Sequence, residues 1–374
     1  MAKVYRQPLA HGQPALHFSA TLDMAQADWL LANPLGLGWK LALPQRSALA
    51  VASVLDSGEF GQSRDPASLQ SPNVVGQGLA PPAARGPAAA RTGLLALIDY
   101  GCPFLNTRFL GEDGRTRLVS LWDQGEDAKR ATSPTKPKEP WPWAVPAALG
   151  HGRELDARRL DGVTRAAHGS RGLDEYAVYR GLDHLVDLDS PRRVVRDYTH
   201  GGHLLDVLGG ITDPLTQQAD AASRAALAFV QLPLPAAMDS SGGSLAPHLL
   251  DGVRHAMRLR QGDEPLVVSI SYGGQAGPHD GSSVIETALD ELALHAAPGM
   301  ALVLAAGNAR RAQAHAQRSV RLDRSALLRV QTSPGDTTDS FVEVWYEAPA
   351  AGVAVQARAR TPGGRWSPWV AATG

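Results

Sequence analysis

Five short, continuous apolar runs separated by longer amphipathic stretches constrain this chain more than any other feature. They are LLALID (94–99), LVSLWD (118–123), LAFVQL (227–232), LVVSIS (266–271) and ALVLAA (301–306). A strand that faces water on one side alternates polar and apolar residues, whereas one buried on both faces reads as an unbroken apolar run. Runs of this kind joined by amphipathic stretches imply βαβ units around a parallel sheet, an α/β fold. The stretch Ser283 to Ala297 is the clearest helix. Ser283 and Glu286 fit a capping box, and Ile285, Leu289, Leu292 and Ala296 recur on one face. Strand, helix, strand is the order expected from 266 to 306.

The chain of 374 residues is long enough for one large domain or two ordinary ones. Residues 1–90 end in SPNVVGQGLAPPAARGPAAARTG, a linker-like stretch of small residues, Pro and Gly. Pro134, Pro137, Pro140, Pro142 and Pro146 mark a loop or insertion, with about 124–190 read as its extent. No repeat of solenoid or propeller period occurs. The α/β pattern occupies 91–324. After about residue 325 the pattern changes to period two: VAVQARAR (353–360) alternates, FVEVWYE (341–347) is β-like, and Pro362-Gly363-Gly364 supplies a turn. Residues 325–374 are expected to begin an antiparallel β domain that is incomplete within these residues.

Composition narrows the partners. Lys and Arg total 36 against 37 Asp and Glu, a net charge of −1, so neither nucleic acid nor an anionic membrane is an expected partner on electrostatic grounds. PRRVVR (191–196) and Arg310, Arg311, Arg318, Arg321 and Arg324 lack interleaved aromatics and read as solvated charge. Cys102 is the single cysteine, which excludes an internal disulfide framework and any multi-cysteine zinc site. Neither a secretory signal core nor a membrane-spanning run occurs, and a cytoplasmic protein is expected.

Ligands in parallel α/β sheets gather at the carboxyl ends of strands, so polar residues just after the apolar runs are the first candidates. Asp99 closes LLALID, His200 opens HGGHLLDVLGG, and Asn308 follows LVLAAG. Each also has an ordinary reading: Asp99 as a turn or cap residue, His200 as a polar helix entry, and Asn308 as a residue tolerated in a left-handed turn.

Together and in this order the motifs resemble those of the subtilisin-like serine proteases, the subtilases, over roughly residues 90–310. The aspartate segment is LLALIDYGCPFLN; the His-Gly-Thr-His-Val-Ala-Gly pattern is matched by His200-Gly201-Gly202-His203-Leu204-Leu205-Asp206. The substrate-lining Ser-Leu-Gly-Gly is matched by Ser271-Tyr272-Gly273-Gly274, and the oxyanion asparagine by Asn308 after Ala305-Ala306-Gly307. The resemblance implies a subtilisin-like α/β fold and a serine endopeptidase acting on a polypeptide substrate. Asp99 would orient the imidazole, His200 would be the general base, Asn308 would donate to the oxyanion, and Ser271 to Gly274 would bind an extended peptide. No cofactor is expected; subtilases often bind calcium, but no acidic loop identifies a site.

Three departures stand out. Gly202 replaces the family's threonine, Asp206 stands where glycine is preferred, and Asp99 and His200 lie 101 positions apart, which suggests an insertion able to form a lid or exosite. The family's Gly-Thr-Ser-Met-Ala does not occur between Asn308 and Gly374. A triad without its serine cannot form an acyl-enzyme, so this chain alone is expected to be inactive. Ser244, in Gly242-Gly243-Ser244-Leu245-Ala246, is a weak candidate because it precedes the asparagine strand and reads equally well as the cap of a helix over 246–260. The Csp-like bacterial branch resembles this chain in carrying a jelly-roll insert between asparagine and serine. That resemblance implies a serine half beyond Gly374, with the chain's own C-terminal half as a partner, and a prodomain role for residues 1–90. A pseudoprotease that binds peptides without cutting is the alternative. A zinc hydrolase built on His200 and His203 is weaker, because no third ligand is apparent.

Overall fold

The computed structural model describes residues 3–5, 19–21, 91–125, most of 143–167, 175–182, 184, 199–212 and most of 218–371. Nearly all of 1–90 and most of the Pro-rich stretch lie outside the described residues, and with them the prodomain expectation. The first two strands, β1 (Lys3–Tyr5) and β2 (Ser19–Thr21), pair antiparallel with one another.

Every apolar run forms a strand of one six-stranded sheet. Its members are β3 (Leu94–Asp99), β4 (Leu118–Asp123), β5 (Arg153–Asp156), β6 (Ala226–Gln231), β7 (Leu266–Ile270) and β8 (Met300–Leu304). The order across the sheet is β5-β4-β6-β3-β7-β8, and all neighbours are parallel except β5, which runs antiparallel to β4. Among the described residues the helices longer than four residues are α1 (Ala157–Ala167), α2 (Glu175–Gly181), α3 (His200–Gly209), α4 (Leu245–Leu259) and α5 (Val284–His295). This is the α/β architecture expected from the runs.

Burial on both faces accounts for the unbroken runs of β3, β4 and β6 in the middle of the sheet, whereas the run of β8, at the sheet edge, is largely exposed. Leu94, Ala96 and Ile98 of β3 join Ala228 and Val230 of β6 in a core closed by Leu249 and Val253 of α4 and Leu289 and Leu292 of α5. Leu97 of β3 and Leu227 and Phe229 of β6 face the other way, toward Leu205 of α3 and Leu160 of α1. Asp99 is in phase with Leu97 and therefore lies on the α3 side of the sheet. The α5 capping box forms as expected, with Ser283 Oγ accepting from the Glu286 amide and the Glu286 carboxylate accepting from the Ser283 amide.

Within the stretch read as an insertion, β5 extends the sheet, and α1 and α2 follow it. The tail carries the expected antiparallel start: β9 (Gln356–Ala357) and β10 (Val370–Ala371) pair as a small sheet and Arg360 bridges Trp366, while residues 342–346 are unpaired. Val342, Val344, Trp345 and Tyr346 are exposed. Alternation makes a strand amphipathic, but a strand needs a second layer to bury its apolar face, and among the described residues none covers these side chains. Among the described residues no helix is long and apolar enough to cross a membrane.

Candidate active site

Sheet topology selects one crevice. After β3 the chain leads toward β4 on one side of the sheet; after β7 it leads toward β8 on the other. Because β3 and β7 are neighbours, the two connections part and leave a cleft at the carboxyl ends of these strands, where α/β proteins bind ligands. Asp99 ends β3, and Ser271 follows β7 and is tied across by its amide to the Ile98 carbonyl at 3.4 Å. The Ala305 amide bonds the Ile270 carbonyl at 3.1 Å, which sets the chain leading to Asn308 beside the same edge.

His200 is brought to Asp99 by the start of α3. Its Nδ1–H donates to Asp99 Oδ1 at 2.8 Å, and the Tyr100 amide donates to the same oxygen at 2.6 Å. The Asp99 carboxylate is wholly buried, whereas the imidazole is 56% exposed on its other side. Burial raises the Asp99 pKa from the usual carboxylate value, opposed by hydrogen bonds from His200, the Tyr100 amide and Ser271. A buried carboxylate gripping one nitrogen of an otherwise accessible imidazole fixes the tautomer and leaves the remaining nitrogen to exchange protons with a ligand.

Thr199, which the sequence reading passed over, locks the helix start. Its Oγ1 accepts from the Gly202 amide at 3.0 Å as an N-cap and donates to the Gly101 carbonyl at 2.8 Å. The Gly201 amide bonds the Tyr100 carbonyl at 2.9 Å. The signal was available, since a threonine directly before the first helical residue is a preferred cap.

Both departures on the histidine helix have physical reasons. A Cβ on Gly202 would lie 2.6 Å from Thr199 Oγ1 and 2.7 Å from Pro103 Cγ, so the family's threonine does not fit in this structure. Gly202→Thr should push α3 away from the β3 turn and cost about 1–3 kcal/mol; unchanged urea unfolding would contradict the fit. Asp206 is used as an anchor: its carboxylate pairs with Arg108, whose Nη2 also donates to the Thr212 carbonyl at 2.8 Å. Arg117 holds the far end of α3 by donating to the Gly209 carbonyl and to those of Ala222 and Ala225 at 3.1 and 3.2 Å. Burial lowers the Arg117 pKa to about 10 despite nearby Asp220 and Asp206.

The other candidates are placed as follows. Tyr272 is half-buried and packs edge-on to His200, with ring centroids 5.4 Å apart. Gly273 and Gly274 are exposed, and Gly242, at φ +67°, approaches Gly274 so closely that a Cβ there would lie 2.4 Å from its Cα. Asn308 is exposed at the head of a short 3-10 turn, with φ −107°; it is Gly307, at +82°, that occupies the left-handed conformation. Ser244 is buried, and its hydroxyl donates to Asp239 Oδ2 at 2.7 Å rather than to an imidazole. His203 is exposed. Among the described residues no group of three or more His, Cys, Asp or Glu is arranged to hold a metal ion.

The fold and site thus define an α/β protein with a buried-carboxylate–imidazole pair at the switch point of its sheet. No protein-family model matches the chain, and no curated protein matches it. Among solved structures it is similar to the CspB protease of Clostridium perfringens, at 18% identity with a TM-score of 0.37, over 58% of this chain and 37% of that one. The chain therefore spans little more than a third of the length of that protein.

Proposed function

We propose that the Asp99–His200 pair is the acid–base core of a subtilisin-like serine endopeptidase whose nucleophilic serine comes from a segment outside residues 1–374. The observation that carries this reading is the 2.8 Å hydrogen bond from His200 Nδ1 to the buried Asp99 carboxylate, formed by the two motifs whose order resembles the subtilases. In this reading an extended polypeptide lies along Ser271 to Gly274 by backbone hydrogen bonding. His200 Nε2 takes the hydroxyl proton as the serine oxygen bonds to the scissile carbonyl carbon. It then returns that proton to the departing amine as the carbon–nitrogen bond breaks. Asp99 steadies the imidazolium formed between these steps, and the Asn308 side-chain amide donates to the oxyanion. No cofactor takes part.

The second reading, a scaffold that binds peptides without cutting them, shares the same landscape and differs only in lacking a nucleophile. A fluorophosphonate probe followed by intact-mass spectrometry separates the two, applied to this chain and to one extended beyond Gly374 in its native reading frame. Labelling of the extended form alone is the expected result. No label on either form would favour the binding scaffold. Labelling of the short chain would point to Ser244 and overturn the assignment of the nucleophile to an outside segment.

A further inference from the structure

Tyr272 does more than line the cleft. It is the second residue after β7, and the Ser271 amide bond to Ile98 sets its position relative to β3. Its ring is half-buried and rests on the core beneath α4 and α5, so it is held from behind. In front, it meets the His200 imidazole at a centroid distance of 5.4 Å and an interplanar angle of 75°. This is the edge-to-face arrangement aromatic rings prefer, with separations of about 4.5–7 Å. Burial, with a smaller contribution from the Asp99 charge, raises the Tyr272 pKa to about 12.

His200 has need of such a neighbour. It is the first residue of α3 and 56% exposed, so the Asp99 hydrogen bond alone leaves the ring free to swing into water about its side-chain torsions. Gly273, the next residue on the Tyr272 side, has no side chain to help, and space around its Cα is open. From this geometry we infer that Tyr272 is a positioning residue for His200: its ring wall confines the imidazole to the orientation in which Nδ1 faces Asp99 and shields the bond between them from water. The role belongs to the flat ring and not to the hydroxyl, because the contact with His200 is ring to ring. The leucine of the resembling motif offers apolar bulk without that planar wall.

The inference takes the Asp99–His200 pair as the reactive centre proposed above, but its test reads the imidazole itself and needs no peptide cleavage. In the full chain labelled with 15N, the tautomer populations of His200 and the exchange of its Nδ1 proton with water are measured by NMR for the parent, Tyr272→Phe and Tyr272→Leu. Tyr272→Leu keeps apolar bulk against the core, and urea unfolding checks that the fold persists; Asp99→Ala marks the signal of a released imidazole. An edge-to-face contact is expected to alter the exposed population about two- to tenfold. Tyr272→Leu should therefore speed Nδ1 proton exchange by that factor and raise the Nε2–H tautomer, while Tyr272→Phe should match the parent. A leucine variant indistinguishable from the parent, or a phenylalanine variant as perturbed as leucine, overturns the inference. A missing fluorophosphonate label would bear on the proposed peptidase and leave this result untouched.

Discussion

Shifting the protein from pH 7 to pH 5 should remove on the order of 6 kcal/mol of folding stability, enough to unfold an ordinary domain. The cause is three histidines buried in neutral form. His184 is driven down to about 4 by burial while its Nε2–H donates to the Cys102 carbonyl at 2.8 Å. His248 is driven to about 4 by burial and by His151. His255 falls to about 3 through burial and the charges of Arg258 and His151. Each has a folded pKa below its unfolded value, so the unfolded chain takes up protons first. The stability is whole above about pH 6.5, and it is lost as pH falls from there toward each folded pKa. At pH 5 each group lies about 1.5 units below its unfolded pKa, or about 2 kcal/mol apiece. Asp99 and Glu154, raised chiefly by burial, act in the opposite sense and blunt the effect. Urea midpoints followed by circular dichroism at pH 7, 6 and 5 give the measurement. Equal midpoints at pH 7 and 5 would rule the mechanism out, and a His184→Gln variant should flatten part of the slope.

If the proposed mechanism holds, Asp99→Asn in a form extended beyond Gly374 should reduce fluorophosphonate labelling by about 10⁴-fold, the scale of the same substitution in a well-characterised serine protease. An asparagine keeps the shape but can donate to Nδ1, which favours the wrong imidazole tautomer, and it supplies no charge to steady the imidazolium. The Asp99 side chain is wholly buried, so the lost charge is not readily replaced by solvent. Neither folding nor the position of α3 should change, because the Thr199 cap and the Gly201 amide bond to Tyr100 remain. Labelling that persists within tenfold of the parent would remove Asp99 from the mechanism, and with it the proposed reaction.

A buried polar network beneath α4 shows where sequence reading stops. Ser120, at the centre of the apolar run LVSLWD, donates its hydroxyl to Glu154 at 2.7 Å and lies 2.9 Å from His255 Nε2. His151 lies 3.2 Å from Asp251 in the same region, and Trp122 packs against both His151 and His255. These residues come from β4, the loop before β5, β5 and α4. No local spacing announces them. A serine in an apolar strand and a histidine on a helix each look like isolated polar residues until packing joins them. Burial then makes every unpaired donor costly, so they must be joined.

The sequence alone determined the α/β class, because the unbroken apolar runs of β3, β4 and β6 mark strands covered on both faces, although the same kind of run in β8 is largely exposed at the sheet edge. It also determined the start of α5 through the Ser283–Glu286 box, and the order in which the candidate residues Asp99, His200, Ser271 and Asn308 follow one another along the chain. The tertiary structure decided what depends on distance across the chain. It placed the 101-residue-distant Asp99 and His200 within 2.8 Å, made Gly202 a close packing contact with Thr199 and Pro103 and Asp206 an anchor, and set Tyr272 against the imidazole. It also left residues 342–346 without strand pairing. Local pattern dictates which residues must be hidden from water, while only the packed chain dictates which neighbours hide them.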